Sequence, residues 1–118
     1  MNVTRMAPAT LDRDTDYKLT IGTVAHPIKD YVGQTIPVKA IALLEDTNAE
    51  TGETRVFAHV VADDGECYST QSVSFIRNLI AAWDYAERWK ISIDALKIST
   101  GRSKNGRDYL TCEPVFSE

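Results

Sequence analysis

The chain has 118 residues, with 17 acidic and 13 basic side chains and a formal net charge of −4 at pH 7. This length suits one domain with one modest core, and the acidic balance argues against a protein that coats duplex DNA by bulk charge. No apolar run approaches the ~20 residues that span a bilayer, and no apolar signal-peptide segment is visible at the N-terminus. We therefore expect a cytoplasmic protein that makes no membrane contact.

Residues 1–16 are polar and show no periodicity, which predicts a flexible N-terminal leader. A short added strand, or an arm that packs on the domain, stays open as the alternative. The apolar residues Tyr17, Leu19 and Ile21 then alternate with polar ones, and this period of two is typical of a strand. We expect a single domain to cover residues 17–118 and to begin with this strand.

Two longer stretches with the same period lie at residues 35–45 and 53–63, and a polar turn that ends near Gly52 separates them. They are expected to be the second and third strands, and residues 66–70 a short partner strand. One face of the second strand should carry Ile36, Val38, Ala40, Ala42 and Leu44. On the third strand, the better core candidates share one face, which carries Val56, Ala58, Val60 and Ala62.

The period changes to that of a helix after Ser72, which is a suitable N-cap. Apolar residues then recur at helical spacing while the opposite face is polar, and this predicts one amphipathic helix at residues 73–89. Residues 90–100 and 107–116 return to a strand pattern, and Pro114 is expected at a sheet edge or at the end of its strand. The apolar stripe of the helix consists of Ile76, Leu79, Ile80 and Trp83.

This order of elements predicts a mostly β fold. Five twisted antiparallel strands around one small core favour a barrel, because closure removes exposed edges. A single helix between the third and fourth strands is the arrangement of a five-stranded OB-fold, with residues 53–70 as an elaborated third strand. A twisted open sheet with one packed helix is the alternative.

The most basic part of the chain is residues 97–109, which read as a β-hairpin tip. Gly101 and the pair Asn105-Gly106 allow the positive φ angles that a tight reversal needs. This segment carries a net charge of +3, so the rest of the chain carries −7. Positive charge concentrated on one loop of an acidic protein predicts a groove for a polyanion, and a solvated hairpin is the alternative. The basic residues are Lys97, Arg102, Lys104 and Arg107.

Aromatic and basic side chains alternate on two of the predicted strands. By the period of two, Phe57 lies between bases on the third strand and Tyr109 follows the basic tip on the last. Rings exposed between bases predict a platform for single-stranded nucleic acid, because stacking is worth about 1–3 kcal/mol per base and basic groups contact phosphates. Alternatively, these two rings cover a second small core or an interface. The platform is expected to carry Arg55, Phe57, His59, Lys97, Arg107 and Tyr109.

No feature of the sequence indicates an enzyme, a metal site or a bound cofactor. His26, His59, Cys67 and Cys112 lack the spacing of metal ligands, and no phosphate-binding, dinucleotide-binding or nucleophile-elbow motif is present. The two cysteines are expected to be reduced and to serve as small core residues.

Three segments together resemble a known family. They are Ala42-Leu-Leu-Glu-Asp-Thr with Thr51-Gly-Glu, then Asp64-Gly-Glu-Cys-Tyr-Ser-Thr-Gln-Ser ahead of the helix, and Lys97-Ile-Ser-Thr with Lys104-Asn-Gly-Arg-Asp-Tyr-Leu-Thr. The chain is similar here to the small single-stranded DNA-binding proteins of phages and mobile elements of Gram-positive bacteria. The resemblance implies non-specific coating of single strands during replication, in the host cytoplasm if the chain is viral. The acidic C-terminal segment is much shorter than the partner-recruiting tails of bacterial single-strand binders.

We therefore expect a non-enzymatic protein that binds single-stranded DNA. RNA instead of DNA, homo-oligomerisation and replication proteins as partners all stay open. The alternative from a different class is a small protein-interaction or virion-assembly module that uses the same aromatic face. The expected nucleic-acid-binding residues are Arg55, Phe57, His59, Tyr68, Lys97, Arg102, Lys104, Arg107 and Tyr109.

Overall fold

The computed structural model describes residues 2–21 and 25–117. This part of the chain forms seven strands, two α-helices and one turn of 3₁₀ helix. The strands are β1 (Asn2–Ala7), β2 (His26–Pro27), β3 (Thr35–Thr47), β4 (Thr54–Ala62), β5 (Cys67–Thr70), β6 (Ile93–Arg102) and β7 (Asp108–Phe116). The helices are α1 (Arg13–Thr20) and α2 (Val73–Trp89), and the 3₁₀ turn is Ile28–Tyr31.

All the strands belong to one curled, half-barrel sheet. Its order is β2-β5-β4-β3-β6-β7, and β1 pairs in addition with β3. The long strand β3 holds the two parts of the sheet together, because residues 38–47 pair with β4 while residues 35–37 pair with β6. The mostly β class is confirmed. The expected count of five strands and one helix is wrong, since the described chain adds β1, β2 and α1.

Strand β3 is buried on both faces, and a bulge between Val38 and Ala40 changes which face its residues use. Before the bulge, Ile36 packs beneath α2; after it, Ile41 and Leu43 do so. The expectation that Ile36 and Leu44 share one face is therefore wrong, because an added residue in a bulge reverses the alternation. The residues on the opposite side form a second core beneath α1, which we call the α1-side core: Leu19, Ala40, Ala42, Leu44, Val61 and Cys67.

Helix α2 spans the residues expected from the sequence. The Ser72 hydroxyl caps its start by accepting a hydrogen bond from the Phe75 N–H at 3.3 Å. At its end, Lys90 takes a left-handed conformation with φ of 55°, which is a common way for a helix to stop. The buried stripe packs into the curl of the sheet and forms the larger core with β4 and β6. Its members are Phe75, Ile76, Leu79, Ala82, Trp83 and Ala86.

The predicted first strand at residues 17–22 is wrong, because its described part lies in α1 and at the end of that helix. The Asp12 carboxylate caps the helix, accepting from the Thr15 N–H at 3.0 Å and from the Thr15 hydroxyl at 2.7 Å. These hydrogen bonds lower the pKa of Asp12 to about 2. Thr15 and Leu19 are four residues apart, and both are buried against the sheet. This i, i+4 pair, rather than the alternation of Tyr17, Leu19 and Ile21, decides the local structure.

Strand β1 lies in the segment that we expected to be a leader, as in the added-strand alternative. It runs antiparallel to β3 and is also attached to α2. The Arg5 guanidinium lies 4.3 Å from the centre of the Trp83 ring and forms ion pairs with Asp84 at 2.8 Å and Glu87 at 3.0 Å. The N-terminal segment is thereby joined to both layers of the fold.

The strands that follow agree with the sequence. Residues 53–70 form the β4–β5 hairpin, and β6 and β7 form a long antiparallel pair. Pro114 lies in β7, which is the last strand in the order of the sheet, so its expected edge position is confirmed. The missing N–H of a proline costs no ladder hydrogen bond at such an edge.

Both cysteines are buried and free, as expected for small core residues. Burial raises the pKa of Cys112 to about 12 and also raises that of Cys67. Because the thiolate is the reactive form, we predict that neither thiol reacts with Ellman's reagent in the native protein and that both react after unfolding. Rapid labelling of either thiol under native conditions would contradict this burial.

Candidate nucleic-acid interface

The basic tip is the turn of the β6–β7 hairpin. Arg102 pairs in register with Asp108, and residues 103–107 form the loop. The Ser103 N–H donates to the Arg107 carbonyl at 2.9 Å, and the Gly106 N–H donates to the Ser103 carbonyl at 2.9 Å. Gly106 has a φ of 76°, so the prediction of a positive φ angle is confirmed at this glycine.

Gly101 serves a different purpose from the one predicted. It lies directly opposite Tyr109 in the ladder, and a Cβ atom at this position would overlap the Tyr109 ring. Glycine therefore leaves room for the outer part of the ring to lie against the neighbouring strand. Tyr109 keeps 41% of its surface exposed, so the residue is accessible to a ligand.

The positive charge of the hairpin is strongest in its loop. The Arg102 Nε lies 3.5 Å from an Asp108 carboxylate oxygen, and Lys97 stands opposite Glu113 in register. Carboxylates therefore reduce the positive potential along the strands. Lys104 and Arg107 are exposed within the loop. Arg107 precedes Tyr109 by two positions in the chain. The expectation that Lys97 shares a face with Tyr109 holds, because Leu96, Ile98 and Cys112 are buried on the other face.

The predicted platform on β4 is not an open surface. His59 is only 5% exposed, and its Nδ1 donates to the Leu19 carbonyl at 2.8 Å. Phe57 is half-buried against the α1-side core, with its ring centre 6.4 Å from that of His59. The expected exposure of His59 is wrong, because α1 covers this face, and Phe57 fits the alternative of a second small core. Arg55 is exposed at the start of β4.

Tyr68 belongs to another aromatic cluster, on β5. Its ring lies 4.9 Å from that of Tyr31 and 5.6 Å from that of His26. Burial, followed by the charges of nearby acidic groups, raises the pKa of Tyr68, and the His26 ring nitrogen lies 2.7 Å from Glu66. Strands β4 and β3 separate β5 from the basic hairpin. Of the expected binding residues, the structure groups five on this hairpin: Lys97, Arg102, Lys104, Arg107 and Tyr109.

One exposed aromatic cluster was not predicted. Trp89 is 63% exposed, and the Tyr85 ring lies between it and Phe116, at 6.3 Å and 5.1 Å between ring centres. The Arg88 guanidinium approaches Tyr85 at 5.7 Å. Tyr85 and Trp89 are four residues apart on α2 and lie outside its apolar stripe. This i, i+4 spacing of two aromatic residues on the polar face is the sequence feature from which the cluster could have been predicted. The cluster lies near the C-terminal end of β7, about 24 Å along the strand from Tyr109.

Within residues 2–21 and 25–117, no three His, Cys, Asp or Glu side chains are grouped closely enough to hold a metal ion. None of the described helices is long and apolar enough to cross a membrane. No protein-family model, curated protein or solved structure matches the chain.

Proposed function

We propose that the protein binds single-stranded DNA with little sequence preference, in the replication of a phage or mobile element. The observation that carries the proposal is the exposed basic loop with the partly exposed Tyr109 ring against Gly101 at its base. Lys104 and Arg107 supply charges for phosphates, and the ring supplies a surface on which a base can stack. These are the two contacts that a sequence-independent binder of single strands needs.

The topology supports an OB-fold as the architecture of this binder. Five strands follow the order β5-β4-β3-β6-β7, in which β3 pairs with both β4 and β6. Helix α2 lies between β5 and β6, which are the third and fourth of these strands in chain order. In OB-folds the loop between the fourth and fifth strands contributes to oligonucleotide binding, and the basic tip is the corresponding loop here. On this interpretation β1, β2 and α1 are additions to the five-stranded unit.

The proposed mechanism has an electrostatic step and a stacking step. The loop attracts the phosphate backbone, although the chain as a whole has a net charge of −4. A base of the captured strand then stacks on the exposed part of Tyr109. Bases in a duplex are already stacked and paired, so duplex DNA gains the first interaction but not the second.

A gel-shift comparison of oligo-dT, duplex DNA and single-stranded RNA at two salt concentrations tests the proposal. We expect oligo-dT to bind far better than duplex of equal length, and to bind less well as salt rises, because phosphate contacts release counterions. Equal competition by duplex would refute the proposal. The RNA arm decides between the two kinds of single strand.

Replacing Tyr109 by alanine should remove the stacking contact. We expect a loss of about 1–3 kcal/mol in oligo-dT binding, measured by fluorescence anisotropy, with a nearly unchanged dependence on salt because no phosphate contact is lost. Tyr109→Phe is the matched control, since it keeps the ring. Normal binding by the alanine variant, or an equal loss in the phenylalanine variant, would show that the ring does not stack on bases.

The alternative function, a protein-interaction or virion-assembly module, is supported by the Tyr85–Trp89–Phe116 cluster rather than by the β4 face. Such a module would show no preference for oligo-dT at either salt concentration. The gel-shift comparison therefore separates the two functions before any partner is known.

A further inference from the structure

A second surface of the protein is an apolar groove between the start of β4 and the first turns of α2. Its cavity has a volume of about 570 Å³. Val56 contributes from the strand, and it is 38% exposed. Val73, Ile76, Arg77 and Ile80 contribute from the helix, and Thr54, Arg55 and Gln71 complete the lining. No aromatic ring and no carboxylate is among the described residues that line it.

The strand beside this groove has an open edge. Residues 54–57 of β4 pair with β3 on one side, whereas β5 pairs only with residues 58–61 on the other. In an antiparallel ladder, alternate residues direct their N–H and C=O groups away from the paired neighbour. Unpaired backbone groups are therefore presented next to an apolar groove, which is the arrangement used to add a further strand from a partner.

The charge around the groove is positive. Arg77 lines the groove from the helix and is exposed, whereas Arg55 and Asp46, which are opposite each other in the ladder, direct their side chains to the other face of the sheet. Helix α2 begins beside the groove with no acidic residue in its first turn, so the positive end of its dipole is not compensated there. An anionic partner is favoured on both counts.

We propose that this groove binds an extended acidic and apolar segment of a partner protein by strand addition. The backbone of the segment pairs with residues 54–57, and its apolar side chains enter the groove against Val56 and Ile76. A carboxylate on the groove face meets Arg77, while carboxylates at alternate positions project from the other face, where Arg55 lies. Nucleic acid fits less well, because bases stack on aromatic rings and the groove offers aliphatic side chains and a backbone edge. This site does not depend on the proposed nucleic-acid binding.

The test uses the full chain and a fluorescein-labelled octapeptide of alternating Glu and Val residues that ends in two Glu residues, so that a carboxylate lies on each face of the added strand. Binding is followed by anisotropy. We expect binding in the range of about 10–100 µM, and at least tenfold weaker binding after Arg77→Glu. Arg13→Glu is the matched control, since it makes the same charge change on exposed α1 and should leave the affinity unchanged. A peptide with N-methyl groups on alternate amides should bind at least tenfold more weakly, because it cannot complete the ladder.

Four results would overturn the proposal. The first is no binding at a protein concentration of about 1 mM, and the second is equal binding by a peptide of alternating Lys and Val. The third is displacement of the peptide by oligo-dT together with loss of oligo-dT binding in Arg77→Glu, which would assign the groove to nucleic acid. The fourth is a dimer in sedimentation that Arg77→Glu dissociates, which would assign it to a second copy of the chain.

Discussion

Replacing Arg102, Lys104 and Arg107 together by alanine is expected to weaken oligo-dT binding about 100-fold at a salt concentration of about 0.1 M. The logarithm of the binding constant for a single strand changes by about 0.7 per phosphate contact for each tenfold change in salt. Three lost phosphate contacts therefore reduce the slope of this salt dependence by about 2. Between 1 M and about 0.1 M salt, the variant thus fails to gain a factor of about 100 in the binding constant that the native protein gains. The measurement is a series of anisotropy titrations across salt concentrations.

The same variant should fold normally. Arg102 and Asp108 are 74% and 69% exposed as side chains, and ion pairs at such exposure contribute little to stability. A control variant with Arg13, Lys29 and Arg88 replaced by alanine removes the same charge from other exposed positions. If the control loses as much affinity, the net charge of the protein matters and the hairpin does not. An unchanged affinity in the hairpin variant would remove the basis of the proposed function.

The expected binding residues that lie together are those of one hairpin, and the reason is local. Turn residues and alternation determine a hairpin from adjacent sequence, so Lys97 and Tyr109 could be placed on one face before the fold was known. The role of Gly101 could not be predicted in this way, because it depends on which residue lies opposite in the ladder. The pairing of residues between β6 and β7 follows from the length of the loop that joins them. The sequence predicts the ends of this loop only to within a few residues, so it does not predict which residue lies opposite Gly101.

The face of β4 shows what alternation cannot determine. The alternation itself was right, since Ala58 and Val60 lie in the core beneath α2 and His59 points to the other side. What covers that other side depends on a segment 40 residues earlier in the chain. Period two separates the faces of a strand, but only tertiary contacts decide which face meets water.

Helix α1 was missed because its sequence satisfies two patterns at once. Eight residues are too few for a helix that is stable by itself, and most of them are polar and exposed. The cap formed by Asp12 and Thr15 is a local signal for a helix, but the alternation of Tyr17 and Leu19 is an equally local signal for a strand. Packing of Leu19 against the sheet decides between them. The bulge in β3 could not be predicted either, since neither Val38 nor Ala40 is a residue type that indicates a bulge.

Replacing Leu19 by alanine should therefore have a large effect on stability. Leu19 is fully buried in the α1-side core, and truncating a buried leucine costs about 2–5 kcal/mol. This is a large share of the roughly 5–15 kcal/mol that stabilises a typical domain. The carbonyl that accepts from His59 belongs to the backbone, so the substitution keeps that hydrogen bond and removes packing alone. Chemical denaturation followed by circular dichroism measures the change.

Tyr17→Ala is the matched control, because Tyr17 lies on the same helix and is 48% exposed. We expect it to change the free energy of unfolding by about 0.5 kcal/mol or less. The Leu19 variant should still bind oligo-dT normally while it remains folded, since the basic hairpin lies on β6 and β7. If the Leu19 variant instead bound oligo-dT more tightly, the face of β4 beneath α1 would be a binding surface that the helix covers. Phe57 would then again be a candidate for stacking on bases. Equal stability of the two variants would show that α1 is not docked through Leu19.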